Sequence, residues 1–288
     1  MVQLEGWRIG EATVTPIYET DAGSVIQLGM VDATPERLAQ VAWLAPRFAD
    51  ASGRMRGVVQ GFVVRIGDRT VLVDACVGNG KPRPGLPAWS ELRTDFPQRL
   101  STSGVEPESI DTVVCTHFHF DHVGWNTVQR DGAWAPHFLR ARYLFSEPEF
   151  AYWRTLPERE TADDLAGVQD SVLPIVAAGL ADLVPPDHEI APGLRLYPTH
   201  GHTPGHVSVL LESAGERAVI TGDAVHHPSQ LAHPEWGIFS DFDPAAAYRT
   251  RVALFSMCAD TGTLLIGSHF APPAAVRVKR VGEVFAVE

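Results

Sequence analysis

The stretch THFHFDHVGW, residues 116–125, places His117, His119, Asp121 and His122 within six residues, directly after the apolar run DTVVCT at 111–116. A buried core has no use for four such groups, since an unpaired titratable side chain is costly to bury. Imidazole and carboxylate together are the donor set of zinc and similar divalent ions. In an extended chain alternate residues share a face, so His117, His119 and Asp121 are expected to point one way, with a turn at 121–124 bringing His122 round. The competing reading is a polar loop that happens to be histidine-rich. It fits poorly with a chain of 12 histidines, three of which fall in this one segment.

Working outward, three further segments repeat the pattern of a strand end followed by a ligand type: PTHGHTPGH at 198–206, ITGDAVHH at 220–227 and IGSHF at 266–270. They offer His202, Asp223 and His269, separated from His122 and from one another by 80, 21 and 46 residues. Each alone reads as a cap or a satisfied polar group. Together they make a site.

The motifs HFHFDH, GHTPGH, TGD and SHF, in this order, resemble those of the metallo-β-lactamase superfamily, over about Gly61 to Phe270. The resemblance implies an α/β fold, the αββα sandwich of two packed mixed sheets with helices on the outer faces. It further implies that His117, His119 and His202 hold one metal, that Asp121, His122 and His269 hold a second, and that Asp223 bridges them. Two divalent ions are therefore the expected cofactors, zinc first, with manganese, cobalt or iron as alternatives. His200 competes with His202 for one position, and the turn His202-Thr203-Pro204-Gly205 resembles the family's motif, which implies His202. His206 and Asp74 are read as partners for ligand side chains, Asp74 equally as a turn residue before Gly78-Asn79-Gly80.

Within the superfamily the sequence resembles the branch of N-acyl homoserine lactonases and methyl parathion hydrolase. The expected activity is hydrolysis of a small ester or lactone by a hydroxide between the metals, with Asp121 orienting or deprotonating the water. Phosphotriesterase, thioesterase and iron-dependent dioxygenase activities are the alternatives. Lactonases of the branch carry a tyrosine three residues past the bridging aspartate, where this chain has His226, as in the methyl parathion hydrolase pattern. His226 is thus a candidate catalytic donor, against a plain surface histidine beside His227.

The chain of 288 residues is 45% hydrophobic and 20% charged, ordinary globular usage, and is read as one domain over 1–288. Its net charge of -12 lacks the footprint of a nucleic-acid binder. The start, MVQLEGWRIGE, has no signal-peptide character, and three widely spaced cysteines suit a reducing cytoplasm. A small molecule is the expected partner, with neither nucleic acid nor membrane, and a homodimer stays open. GFVVRIGDRTVLVDACV reads as a hairpin turning at Gly67-Asp68. Residues 87–103 read as a helix broken at Pro97, 147–154 and 163–178 as helices, LRLYPT, HVSVLLES, ERAVITGD and TLLIGS as strands, 244–259 as a helix, and VRVKRVGEVFAV as a closing hairpin. Val31 to Met55 reads as an irregular segment covering the sheet edge, and it and 131–170 are expected to shape the substrate pocket. Trp43, Trp89, Trp125, Trp134, Trp153 and Trp236 are candidates to line it.

Overall fold

The computed structural model describes residues 6–288, so the reading of the leader rests in part on residues 1–5 outside that range. Alternation along the strands sets the layering. In Arg69–Val73 the side chains of Val71 and Val73 enter one apolar cluster while Leu72 enters another, and Ala218, Val219 and Ile220 of Glu216–Ile220 divide the same way. A period of two with apolar residues on both faces requires cover on both faces.

That cover comes from a second sheet on the inside and helices on the outside. The first sheet contains β1 (Trp7–Ile9), β2 (Ala12–Asp21), β3 (Val58–Ile66), β4 (Arg69–Val73), β5 (Thr112–Cys115), β8 (Arg142–Ser146) and β9 (Ala181–Val184), in that order. The second runs β10 (Glu189–Ala191), β11 (Leu194–Pro198), β12 (Val207–Ser213), β13 (Glu216–Ile220), β14 (Leu264–Ile266), β15 (Ala275–Val281) and β16 (Val284–Val287). Both sheets are mixed: β4, β5, β8 and β9 are parallel neighbours, as are β13 and β14, and the other pairs are antiparallel. Val14, Phe62, Val64 and Val73 of the first sheet share a cluster with Leu196, Val209, Leu211 and Ile220 of the second, which is the seam between them. Val63, Leu72 and Val113 face outward with Phe96, Leu100 and Trp153, while Leu210, Val219 and Leu265 face outward with Leu254 and Phe255 of helix Pro244–Cys258. This is the expected αββα sandwich.

Two local expectations are corrected, and several strands are added. Pro97 does not break a helix: Phe96–Thr102 is a helix with Pro97 in its first turn, where the missing N–H costs nothing, and Pro87–Trp89 is a separate single turn. The hairpin of β6 (Thr127–Arg130) and β7 (Ala133–Pro136) and the strands β1, β2 and β9 were not read from the sequence. Residues 31–55 are irregular, apart from short turns such as Pro35–Leu38 capped by Thr34. They send Leu38, Leu44 and Phe48 into the core, but the cavity wall is built instead by Val25, Ile26 and Leu28 of helix Gly23–Gly29. No helix among the described residues is long and apolar enough to cross a membrane.

Candidate metal centre

Each group of candidate ligands leaves the end of a strand. His117 and His119 follow β5, His202 follows β11, Asp223 follows β13 and His269 follows β14. The backbone after β5 is not extended as expected. His119 stands at the N-cap of a helical turn, Phe120–Val123, which carries Asp121 and His122. The turn is tied to the strand exit by Gly124 N donating to the Cys76 carbonyl at 2.7 Å and Ala75 N donating to the His122 carbonyl at 2.7 Å, an approach that glycine permits, since a Cβ at 124 would sit 1.8 Å from the Val77 oxygen. Gly222 adopts φ +53, and a Cβ on it would lie 2.8 Å from His206 Nε2. The glycine of the TGD motif is therefore required both by its dihedral and by its neighbour.

The seven side chains converge as two groups. Donor atoms of His117, His119, His202 and Asp223 lie within 4.8 Å of one another, as do those of Asp121, His122 and His269. Asp223 faces both: its Oδ1 is 3.2 Å from His122 Nε2 and 3.1 Å from His269 Nε2, while its Oδ2 is 3.5 Å from His202 Nε2 and 3.9 Å from His117 Nε2. Asp121 Oδ2 is 3.5 Å from His269 Nε2 and 3.7 Å from His122 Nε2. All of these residues are almost wholly buried.

The far side of each ring shows which nitrogen is free. His122 Nδ1 donates to Asp74 Oδ2 at 2.9 Å, His202 Nδ1 to Asp241 Oδ1 at 2.9 Å and His269 Nδ1 to the Val58 carbonyl at 2.9 Å. Thr116 Oγ1 donates its one proton to Asp74 and so accepts from His117 Nδ1 at 3.1 Å. A neutral imidazole with its proton on Nδ1 presents a lone pair at Nε2, so His117 and His202 turn unprotonated nitrogens toward His119. His119 Nδ1 stands 3.0 Å from His117 Nε2 and 2.9 Å from His202 Nε2, a convergence that one proton cannot satisfy. His122 Nε2 and Asp223 Oδ1 have no hydrogen-bond partner at all. Divalent ions with bonds of about 2.0–2.1 Å bring tetrahedral donors roughly 3.3 Å apart. The donor set and its spacing thus fit divalent metal ions.

Burial, followed by the nearby His122 and His119, holds His117 well below the usual histidine range, and burial brings His202 to about 4 despite its bond to Asp241. For His122 and His269 burial acts in the same direction but is outweighed by Asp223 and Asp121, which hold both rings above the usual range.

Several supporting residues were missed. Glu149 is fully buried; its Oε1 accepts from Phe118 N and Trp153 Nε1 and its Oε2 from Thr203 Oγ1 and Gly205 N, tying the loop of His117 and His119 to the loop of His202. Burial raises its carboxyl despite these donors. Asp241 and Asp164, which accepts from Phe120 N, have similar roles, and no spacing signal distinguishes them from solvated acids. Of the two readings of Asp74 the structure bears out the partner role, with its carboxylate on His122; its backbone leaves the strand at φ +60. His206 Nε2 accepts from Asp223 N at 3.0 Å, as a support to the site, and His200 stands apart, half-buried, with its Nδ1 unpartnered.

His226 is not a surface histidine. It is 2% exposed, its Nε2 is 3.1 Å from Asp223 Oδ2, neither ring nitrogen has a hydrogen-bond partner, and it lines the cavity over the cluster. His227 is buried as well, but it points away and donates to the Phe48 carbonyl at 2.9 Å. The cavity, of about 330 Å³, is walled by Val25, Ile26, Leu86, Trp89, Phe120 and Ile238, with Leu28 and Phe239 at 79% and 74% exposure. Of the tryptophans only Trp89 reaches it; Trp125, Trp153 and Trp236 belong to the core. In the 131–170 segment the wall comes from Thr161 to Asp164 alone.

A four-layer sandwich with a histidine and aspartate cluster at its strand ends defines a class of metal-binding α/β proteins. The chain belongs to the metallo-beta-lactamase superfamily, whose family profile matches residues 55–269. Among curated proteins it is 28% identical over 159 residues to an N-acyl homoserine lactonase of Bacillus sp, covering 55% of this chain and 52% of that protein. It is 30% identical over 129 residues to N-acyl homoserine lactonase AiiB of Agrobacterium fabrum, covering 40% and 42%. The chain spans about half the length of the curated relatives it matches. Among solved structures it resembles the hydrolase AbOPH in the beta lactamase superfamily, with TM-score 0.78, 24% identity and coverage of 100% and 97%. It also resembles AidC, a dizinc quorum-quenching lactonase, with TM-score 0.77, 17% identity and coverage of 100% and 98%.

Proposed function

We propose that this protein is a hydrolase dependent on two divalent metal ions, zinc by preference, that cleaves a small and largely apolar ester or lactone. His117, His119 and His202 would hold one ion, Asp121, His122 and His269 the other, and Asp223 would stand between them. The observation that carries the reading is the position of Asp223, with one oxygen turned to each histidine group in a buried cluster whose ring nitrogens present lone pairs. The lactonase names of the curated relatives support the substrate class.

The ions, when bound, would supply Lewis acidity toward a carbonyl oxygen and a water acidic enough to attack near neutral pH. Asp121, at the cavity wall, orients the attacking water and accepts its proton. His226, unpartnered and facing the same space, donates a hydrogen bond to the carbonyl or the leaving oxygen. The apolar walls exclude bulk water, which strengthens each of these polar contacts. A cavity of about 330 Å³ is at the small end of ligand pockets.

The test is a hydrolysis screen of the metal-loaded protein over lactones, aryl esters, thioesters and phosphotriesters. Turnover concentrated on esters or lactones, abolished by chelation and restored by zinc, manganese or cobalt, is the expected result. Activity that survives exhaustive chelation, or that is confined to thioesters or phosphotriesters, overturns it.

A further inference from the structure

Among the described residues that line the cavity there is no lysine or arginine, but there are four carboxylates: Asp121, Asp163, Asp164 and Asp223. Asp121 and Asp223 belong to the histidine cluster. Asp164 is satisfied, its Oδ1 accepting from Phe120 N and its Oδ2 from Thr161 Oγ1. Asp163 is different. It is 5% exposed, makes no ion pair among the described residues, and its Oδ1 is buried without a hydrogen-bond partner. Its carboxylate rests against Gly85, another residue of the cavity lining, where a Cβ would lie 2.8 Å from Oδ2. Arg83, two residues away from that glycine, does not neutralise it: Arg83 Nη1 donates to the Pro82 carbonyl, and Nη2 pairs with Asp170 at 2.9 Å.

A carboxylate desolvated at a cavity wall without a partner is unfavourable unless something entering the cavity completes it. The group that does so best is a cation that also donates a hydrogen bond, because charge-assisted bonds are the strong ones. We infer that Asp163 is a specificity-determining residue that receives a protonated amine carried by the substrate. Between two esters of equal apolar size, the site then prefers the aminated one. This rests on the hydrolase reading for the word substrate, but the recognition itself is a binding event and is testable without turnover.

The experiment is calorimetric titration of the metal-loaded protein at neutral pH with octylammonium and with octanol, which share an alkyl chain and differ in the head group. The wild type is expected to bind octylammonium about tenfold or more tightly than octanol, the scale of a hydrogen bond to a charged group. D163N should bring the ratio close to one with metal content retained. G85A keeps the carboxylate but forces it aside, and should also reduce the ratio; it decides the matter if D163N does not fold. Aryl esters of 6-aminohexanoate and of heptanoate give the kinetic counterpart, with the difference in KM. An octylammonium preference that is absent from the wild type, or equal in D163N as for an amine bound to the metals, overturns the inference. Failure of the hydrolase reading would appear as no ester turnover with the binding ratio intact, so the two are distinguishable.

Discussion

Asp74 Oδ2 lies 2.9 Å from His122 Nδ1, and the same carboxylate accepts from Thr116 N and Thr116 Oγ1, so one buried acid holds both the ring that faces Asp223 and the residue before His117. Supports of this kind set the tautomer and basicity of a metal-binding imidazole, and their loss costs about 10–100-fold in metal affinity. D74N is expected to weaken metal binding by that amount, measured by competition with a chromophoric chelator. D241N should act likewise through His202, whose Nδ1 it meets at 2.9 Å. Unchanged affinity in both variants would remove these acids from the site.

Stoichiometry follows from the two donor groups. The purified, metal-loaded protein should carry close to two ions per chain by elemental analysis, and H269A or D121A should fall toward one. Chelation should lower the melting temperature, since ions that bind only the folded chain stabilise it by mass action, and without them the facing lone pairs of His117, His119 and His202 remain. Saturation at one ion, with full activity in H269A and D121A, would refute the dinuclear arrangement.

His226 and His227 are both buried, yet they face opposite ways, so their variants should separate. H226A is expected to keep its metal and lose about 10²-fold in kcat on alkyl esters or lactones, the scale of a general acid, with much less loss on aryl esters whose leaving group needs no proton. H227A should keep kcat and lose about 1–3 kcal/mol of stability, because it leaves the Phe48 carbonyl without its donor. Full kcat in H226A on an alkyl ester would assign the chemistry to the metals and Asp121.

Glu19, which is not among the candidate ligands, gives a pH dependence of its own. Burial pushes its carboxyl up to about 7, although Val77 N, Gly78 N, Trp125 Nε1 and Thr94 Oγ1 all donate to it and pull the other way. The unfolded chain releases this proton near the ordinary value of 4.5 while the folded chain keeps it to about 7. The stabilisation is therefore complete below pH 4.5 and lost as the pH rises toward 7, at a slope of at most about 1.4 kcal/mol per pH unit for one proton. Denaturant melts of wild type and E19Q between pH 4.5 and 8 should diverge with that slope in the wild type alone. Parallel pH profiles would show that Glu19 does not titrate in this window.

Much of the fold and of the site was legible because it is written in local patterns. The apolar runs in Arg69–Val73 and Glu216–Ile220, the turn at Gly67-Asp68, and the histidines crowded after Thr112–Cys115 are short-range signals with direct physical meaning. The four-layer order, the seven candidate ligands and the preference for His202 over His200 came from the resemblance of the motifs to a known family, not from these patterns by themselves. The tertiary structure alone decided what depends on distant chain segments meeting. The helical turn Phe120–Val123 replaces the extended run where Gly124 N and the His122 carbonyl meet the strand exit, and Glu149 and Asp241 become supports only once their loops reach His119 and His202. His226 turns inward and His227 outward although they are neighbours, since the burial of each is set by Asp223 on one side and Phe48 on the other. Asp163 looks in the sequence like any acid at the start of a helix, and only the wall formed with Gly85 leaves it buried and unpartnered. A residue's type carries its chemistry, but its partners are fixed by long-range packing, which no local spacing records.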